Sequence, residues 1–192
     1  MVEKEEIREL IVDVSRQIFS RRGYKRTTMD EIAHGIKKGK SSIYYYFPGK
    51  EDIYQAVIEK EVSMLHDEIQ RSISQVESPV DKLKVYVLIR LRTLGDMPNF
   101  YEALKDEYLR HFDFVSKIRE INDKEESAMV ENLLKEGVAR NLFVIHNTEL
   151  ASIAIVTAMR GLEAPLLKCS EIHLEERIDH LLAILFYGII RR

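Results

Sequence analysis

The chain has 192 residues, of which 45% are hydrophobic, and a formal net charge of −3. That length suits one domain or a small domain joined to a larger one, and the single cysteine, Cys169, excludes an internal disulfide and fits a reducing cytoplasm. No apolar run approaches the ~18 residues that a membrane span requires, and the charged start Met-Val-Glu-Lys-Glu-Glu is unlike a secretory leader.

Almost every segment reads as helix. Ile7, Leu10, Ile11, Val14, Ile18 and Phe19 form one stripe, which ends at Arg21-Arg22 with Gly23 as a C-terminal cap. Thr28 followed by Glu31 is a capping box, and Met29, Ile32, Ala33 and Ile36 then recur at helical spacing. Lys37-Lys38-Gly39 breaks the pattern, with Gly39 the residue suited to a left-handed or capping conformation. A second short helix over residues 40–46 buries Ile43 and Phe47 and turns Lys40, Ser41, Ser42, Tyr45 and Tyr46 outward. Helix, break and second helix with a lysine, serine and tyrosine surface is the order of a helix-turn-helix DNA reader. Those side chains are donors to phosphates and base edges.

Charge is distributed to match. From Val14 to Lys50 there are nine Lys or Arg against Asp30 and Glu31, a net of +7, so the rest of the chain carries −10. A basic patch on an acidic body concentrates the field where phosphates dock.

After Pro48-Gly49 a long helix carries Ile53, Val57, Val62, Leu65, Ile69 and Ile73 to about residue 75. Ser78-Pro79 starts another, with Leu83, Tyr86, Val87, Ile89 and Leu91, ending near Gly95. Residues 99–110 and 114–137 form two more, the second with Ile118, Ile121, Met129, Leu133 and Leu134. The apolar stretch 141–146 reads as a buried connection. Asn147 or Thr148 caps the next helix, and Ser170 caps the last. The expectation is an all-α fold of about nine helices: a helix-turn-helix DNA-binding domain over residues 1–50, and a larger helical effector-binding and dimerisation domain over residues 51–192.

Ala154, Ala158 and Gly161 permit close helix approach, and Ile178, Leu182, Leu185, Phe186 and Ile189 make the last helix apolar on most of its circumference. Together they are expected to form a homodimer interface of two helices per subunit. Two core helices are the plainer alternative. A twofold dimer would present two readers to half-sites about 34 Å or a multiple apart. An effector pocket is expected around the aromatic group Phe100, Tyr101, Tyr108 and Phe112, with Leu104. Leu88, Arg92, Met129, Leu133, Ile155 and Met159 are further candidates, and Arg92 and tyrosine hydroxyls would orient an amphipathic or aromatic ligand. The same aromatics at helical spacing also suit an ordinary core.

No catalytic or metal chemistry is expected. His111 and His180 each follow a glutamate by four residues, without the second histidine of a zinc site. Neither a nucleophile elbow nor a phosphate-binding glycine loop occurs. No cofactor is expected.

The segment from Ile7 to about Lys60 resembles the N-terminal domain of tetracycline-repressor-type transcriptional regulators. The matching features are Ile18-Phe19, Gly23-Tyr24, Thr27-Thr28, Ile32-Ala33, and Ile43-Tyr44 followed by Tyr46-Phe47 and Lys50. The resemblance implies a cytoplasmic, dimeric repressor of a bacterial type that binds a double-stranded operator and responds to a small molecule in its C-terminal domain. It further implies phosphate contacts from Thr28, Tyr44, Tyr46 and Lys50, and base-facing positions for Lys40, Ser41, Ser42 and Tyr45. Where such regulators usually carry Gly-Val-Ser in the turn, this chain has Lys37-Lys38-Gly39. Lys38 is therefore expected to lay its stem on the core and send its ammonium to solvent or phosphate. A protein-interaction adaptor on the same fold is the alternative function.

Overall fold

The computed structural model describes residues 2–166 together with residues 176, 180, 183 and 184. Among the described residues there are eight α-helices and no strand: α1 (Val2–Arg22), α2 (Met29–Gly35), α3 (Lys40–Tyr46), α4 (Lys50–Ser74), α5 (Pro79–Arg92), α6 (Pro98–Lys105), α7 (Asp113–Ala139) and α8 (Thr148–Leu166). The all-α expectation holds. The expected ninth helix, with Ile178, Leu182, Leu185, Phe186 and Ile189, lies outside the described residues, as does Cys169. No described helix is long and apolar enough to cross a membrane.

Two compact units make up the chain. One comprises Met1–Met64 with Asp96–Arg119, the other Leu65–Gly95 with Glu120–Arg192. In the first unit, Ile11, Phe19, Ile32, Ile43, Phe47, Ile53, Tyr54, Phe100 and Leu109 are buried together with the polar Glu61 and Asn99. The Glu61 carboxylate receives the Arg16 Nε–H at 3.1 Å, the Asn99 amide at 2.7 Å and the Phe100 backbone N–H at 2.9 Å. This pins the first turn of α6 onto α4 and α1 with charge-assisted bonds. Burial outweighs these donors and pushes the Glu61 carboxyl above the usual range.

In the second unit the core is Leu65, Ile69, Ile73, Leu83, Tyr86, Val87, Leu91, Val130, Leu133, Leu134, Val156 and Met159. It also holds an ion pair: Arg90 Nε donates to Glu126 Oε1 at 2.7 Å, and the Tyr86 hydroxyl donates to the same oxygen at 2.8 Å. Both charged side chains are 2% exposed.

Helix ends depart from the sequence reading where side chains intervene. The helix expected over 99–110 stops at Lys105, because Asp106 Oδ1 accepts the N–H groups of Tyr108 and Leu109 and starts a separate 3-10 turn at Leu109–His111. Asn147 is the cap of α8, its Oδ1 accepting the Leu150 N–H at 2.9 Å. Residues 141–146 are not the buried connection expected of them. Asn141 takes a left-handed φ of 56°, Val144 is 92% exposed, and Phe143 turns inward to lie against Gly137. The short apolar run is thus a surface turn held by one ring.

Candidate nucleic-acid interface

The reader begins where α1 ends. Phe19 accepts the Gly23 N–H at its carbonyl, and Gly23 takes φ +77°, a conformation that only glycine adopts without cost. The chain then folds back so that Tyr24 is buried against Phe19 and Tyr54, its ring centroid 5.9 Å and 4.8 Å from theirs. Burial pushes the Tyr24 hydroxyl up to about 12. Thr28 forms the expected capping box: its hydroxyl accepts the Glu31 N–H at 3.3 Å and its own N–H donates to Glu31 Oε2 at 2.9 Å. Arg22 holds the other oxygen of Glu31 in an ion pair. The negative side chain at the positive helix end adds to the cap.

The turn after α2 is a Schellman closure. Lys37 N donates to His34 O and Lys38 N to Ala33 O, each at 3.0 Å. The left-handed residue is Lys37, at φ 54°, while Gly39 is the extended N-cap of α3. Sequence reasoning placed the special conformation at Gly39; of its two alternatives, the capping one is what Gly39 does. Lys38 is exposed.

On α3, Ile43 and Phe47 are buried as expected, which fixes the outward face. Lys40, Ser41 and Tyr44 are exposed and Tyr45 is 69% exposed, whereas Ser42 and Tyr46 are half-buried. Tyr45 meets the Tyr46 ring edge-on at 5.0 Å. The Lys4 ammonium lies 4.8 Å from the centroid of the Tyr45 ring, so α1 also touches the reading face. Nothing in the sequence flagged Lys4, since helical periodicity does not say which part of α1 passes α3.

Two of the lysines already have partners. Lys40 Nζ is 2.8 Å from Asp30 Oδ2, a hydrogen bond that raises its pKa. Lys50 Nζ donates to the carbonyls of Tyr24 and Thr27, both at 2.8 Å, and sits 4.3 Å from the Tyr24 ring centroid. Burial lowers the Lys50 pKa. Two of its three N–H groups are therefore spent on the reader's own backbone, leaving an anchored amine with one donor to offer.

Of the pocket candidates, Phe100 and Tyr101 are buried, Leu104 and Phe112 half-buried and Tyr108 exposed in the first unit. Phe112 stacks edge-on against Tyr24 at 5.5 Å. In the second unit Leu133 and Met159 are buried, Leu88, Met129 and Ile155 half-buried, and Arg92 exposed; the arginine inside that unit is Arg90. Ala154, Ala158 and Gly161 lie with Leu150, Ile153 and Thr157 on one exposed stripe of α8. Among the described residues no group of three or more His, Cys, Asp or Glu side chains is placed to hold a metal ion.

Residues 11–57 match the model of bacterial regulatory proteins of the tetR family. The repressor KstR2 of Mycolicibacterium smegmatis is 27% identical over 141 residues, 71% of this chain and 67% of that protein. A TetR/AcrR-family regulator from Thermobifida fusca superposes with a TM-score of 0.78 at 22% identity, over 97% of this chain and 100% of the other. FadR of Bacillus subtilis, solved in complex with stearoyl-CoA, superposes with a TM-score of 0.72 at 18% identity, over 95% and 99%. At these identities the structural likenesses establish the fold.

Proposed function

This chain is a DNA-binding transcriptional regulator of the tetR family, and we propose that it is a homodimeric repressor released from a palindromic operator by a small molecule. The family's members are regulators rather than enzymes. The observation that carries the proposal is the outward face of α3, where Lys40, Ser41, Tyr44 and Tyr45 project from a two-turn helix set by buried Ile43 and Phe47. Such a helix fits the major groove, where lysine and serine donate to base edges and phosphates and a tyrosine ring meets thymine methyls.

In this reading residues 1–50 are the reader and residues 51–192 the effector and dimerisation domain. Thr28, Lys38, Tyr44, Tyr46 and Lys50 hold phosphates, while Lys40, Ser41, Ser42 and Tyr45 face bases. The exposed stripe Leu150, Ile153, Ala154, Thr157, Ala158 and Gly161 supports dimerisation through α8, since small residues allow close approach and an uncovered apolar face seeks a partner. The effector is an amphipathic molecule, and a coenzyme A thioester, the class held by Bacillus subtilis FadR, is the first to try. It must bind one spacing of the two readers better than the other, because equal affinity shifts nothing. The continuous helix α4, which begins at Lys50, is the proposed lever.

The test is selection from random duplex DNA with the wild-type chain and with Tyr45→Ala. Enrichment of an inverted repeat that the variant loses supports the reading. The same motif from both proteins would dismiss α3 as the reader, and no motif from either would favour an adaptor.

A further inference from the structure

We propose that Tyr24 positions the Lys50 ammonium for its DNA phosphate, and that Phe112 and Asp106, in the segment that follows α6, hold Tyr24 in place. This rests on the reading of Lys50 as a phosphate contact and adds the device that aims it. Contacts within the first unit make the chain of support. Lys50 Nζ is held by the Tyr24 and Thr27 carbonyls, both at 2.8 Å, and lies 4.3 Å from the Tyr24 ring centroid, so displacing Tyr24 disturbs the amine through its carbonyl and its ring. The Tyr24 ring is wedged between Tyr54, at 4.8 Å, and Phe112, at 5.5 Å. Phe112 is backed in turn by Tyr108 and Phe114, each at 5.4 Å. Next to Tyr24, Lys25 Nζ is tied to Asp106 Oδ2 at 3.0 Å and lies 5.1 Å from the Tyr108 ring centroid. The Lys25 hydrogen bond holds the Asp106 carboxyl below its usual pKa, as a formed pair should.

The loop between α1 and α2 thus carries the carbonyls that hold the amine and the Tyr24 ring that meets Phe112. Gly23, left-handed at φ +77°, starts that loop, and its carbonyl accepts the Thr27 hydroxyl at 2.9 Å. Movement of residues 106–112 would therefore change how tightly DNA is held without altering any residue of α3. Phe112 and Asp106 act as positioning residues, through Tyr24, and touch no DNA themselves.

A double-variant cycle tests this, read as affinity for a short random-sequence DNA duplex at low salt. Phe112→Leu should weaken binding on the order of threefold to tenfold and reduce the slope of log affinity against log salt by about one, as loss of one phosphate contact does. Lys50→Met should do the same, and the double variant should be no weaker than Lys50→Met alone. Phe112→Tyr, which keeps the ring, should bind as wild type does. Circular dichroism at equal temperature separates loss of aim from loss of fold, because the helix content of Phe112→Leu should be unchanged. Weakening by the same factor in the wild-type and Lys50→Met backgrounds would overturn the inference while leaving the DNA reading intact. Absence of any duplex binding by the wild-type chain would remove both.

Discussion

Replacing Arg90 with methionine should be among the most damaging single changes in the second unit, and its size follows from the burial of Glu126. The guanidinium donates to Glu126 Oε1 at 2.7 Å, and each side chain is 2% exposed. Methionine fills the volume of the arginine stem, so little cavity forms. What remains is a carboxylate without its cation, held by the Tyr86 hydroxyl at 2.8 Å. Breaking a buried pair in this way costs about 3–5 kcal/mol, which for a chain of this length lowers Tm by about 6–20 °C. Removing the acid as well, with Arg90→Met and Glu126→Leu together, leaves no uncompensated carboxylate, and a hydroxyl that loses a bond costs less, about 1–3 kcal/mol. The double variant should therefore be more stable than the single one. Urea unfolding of the three proteins at neutral pH gives the comparison. A single variant within about 1 kcal/mol of wild type, or a double variant no better than the single, would refute the account of this pair as an electrostatic clamp.

Other consequences are as direct. Since burial pushes the Tyr24 hydroxyl up to about 12, against 10.0 for a free tyrosine, the unfolded chain ionises first and stability falls as pH rises through that window. Tyr24→Phe should shrink this loss, visible as a smaller drop in urea midpoint between pH 10 and pH 12. Asp30→Asn frees Lys40 from its 2.8 Å partner, so binding to random duplex should tighten and its salt slope steepen by about one; an unchanged slope in anisotropy titrations would count against it. Gly137→Ala improves helix propensity by about 1 kcal/mol. Here, however, the new methyl would stand 2.0 Å from Phe143 Cδ2, so a net loss of about 1–3 kcal/mol is expected in thermal melts.

How much of this was legible in the sequence differs by element. The two reader helices were, because a capping box and buried Ile32, Ala33 and Ile43 are local signals whose meaning does not depend on distant residues. The helical assignment of α5, despite its β-branched run, held for a similar reason: Pro79 starts it and no turn nearby makes a hairpin. Asp106 was not legible as a stop, since an aspartate that captures two N–H groups looks like any surface acid until the chain bends around it. Nor was the exposure of Val144, whose apolar character predicts burial but is overruled by the turn that Asn141 begins. The reader's lysines show the limit best. Sequence marks Lys40 and Lys50 as cations on a basic patch. It does not reveal that one is paired with Asp30 and the other anchored to backbone carbonyls, because those contacts span ten and more than twenty positions of chain.

The brevity of α3 has a consequence for motion. It is seven residues long, Ile43 is the only one of them buried, and Gly39 at its start has no side chain to cap it. A two-turn helix so lightly fastened lies near the low end of local opening free energies, and its amides should exchange with solvent sooner than those of α4. If α3 reads DNA as proposed, the duplex would also order it, because each contact made to its outward side chains favours the closed helix. Sequence readout would carry an entropic cost as the helix is stilled. A correct groove repays that cost through added contacts and a wrong one does not, which turns the looseness of the reading element into part of its discrimination.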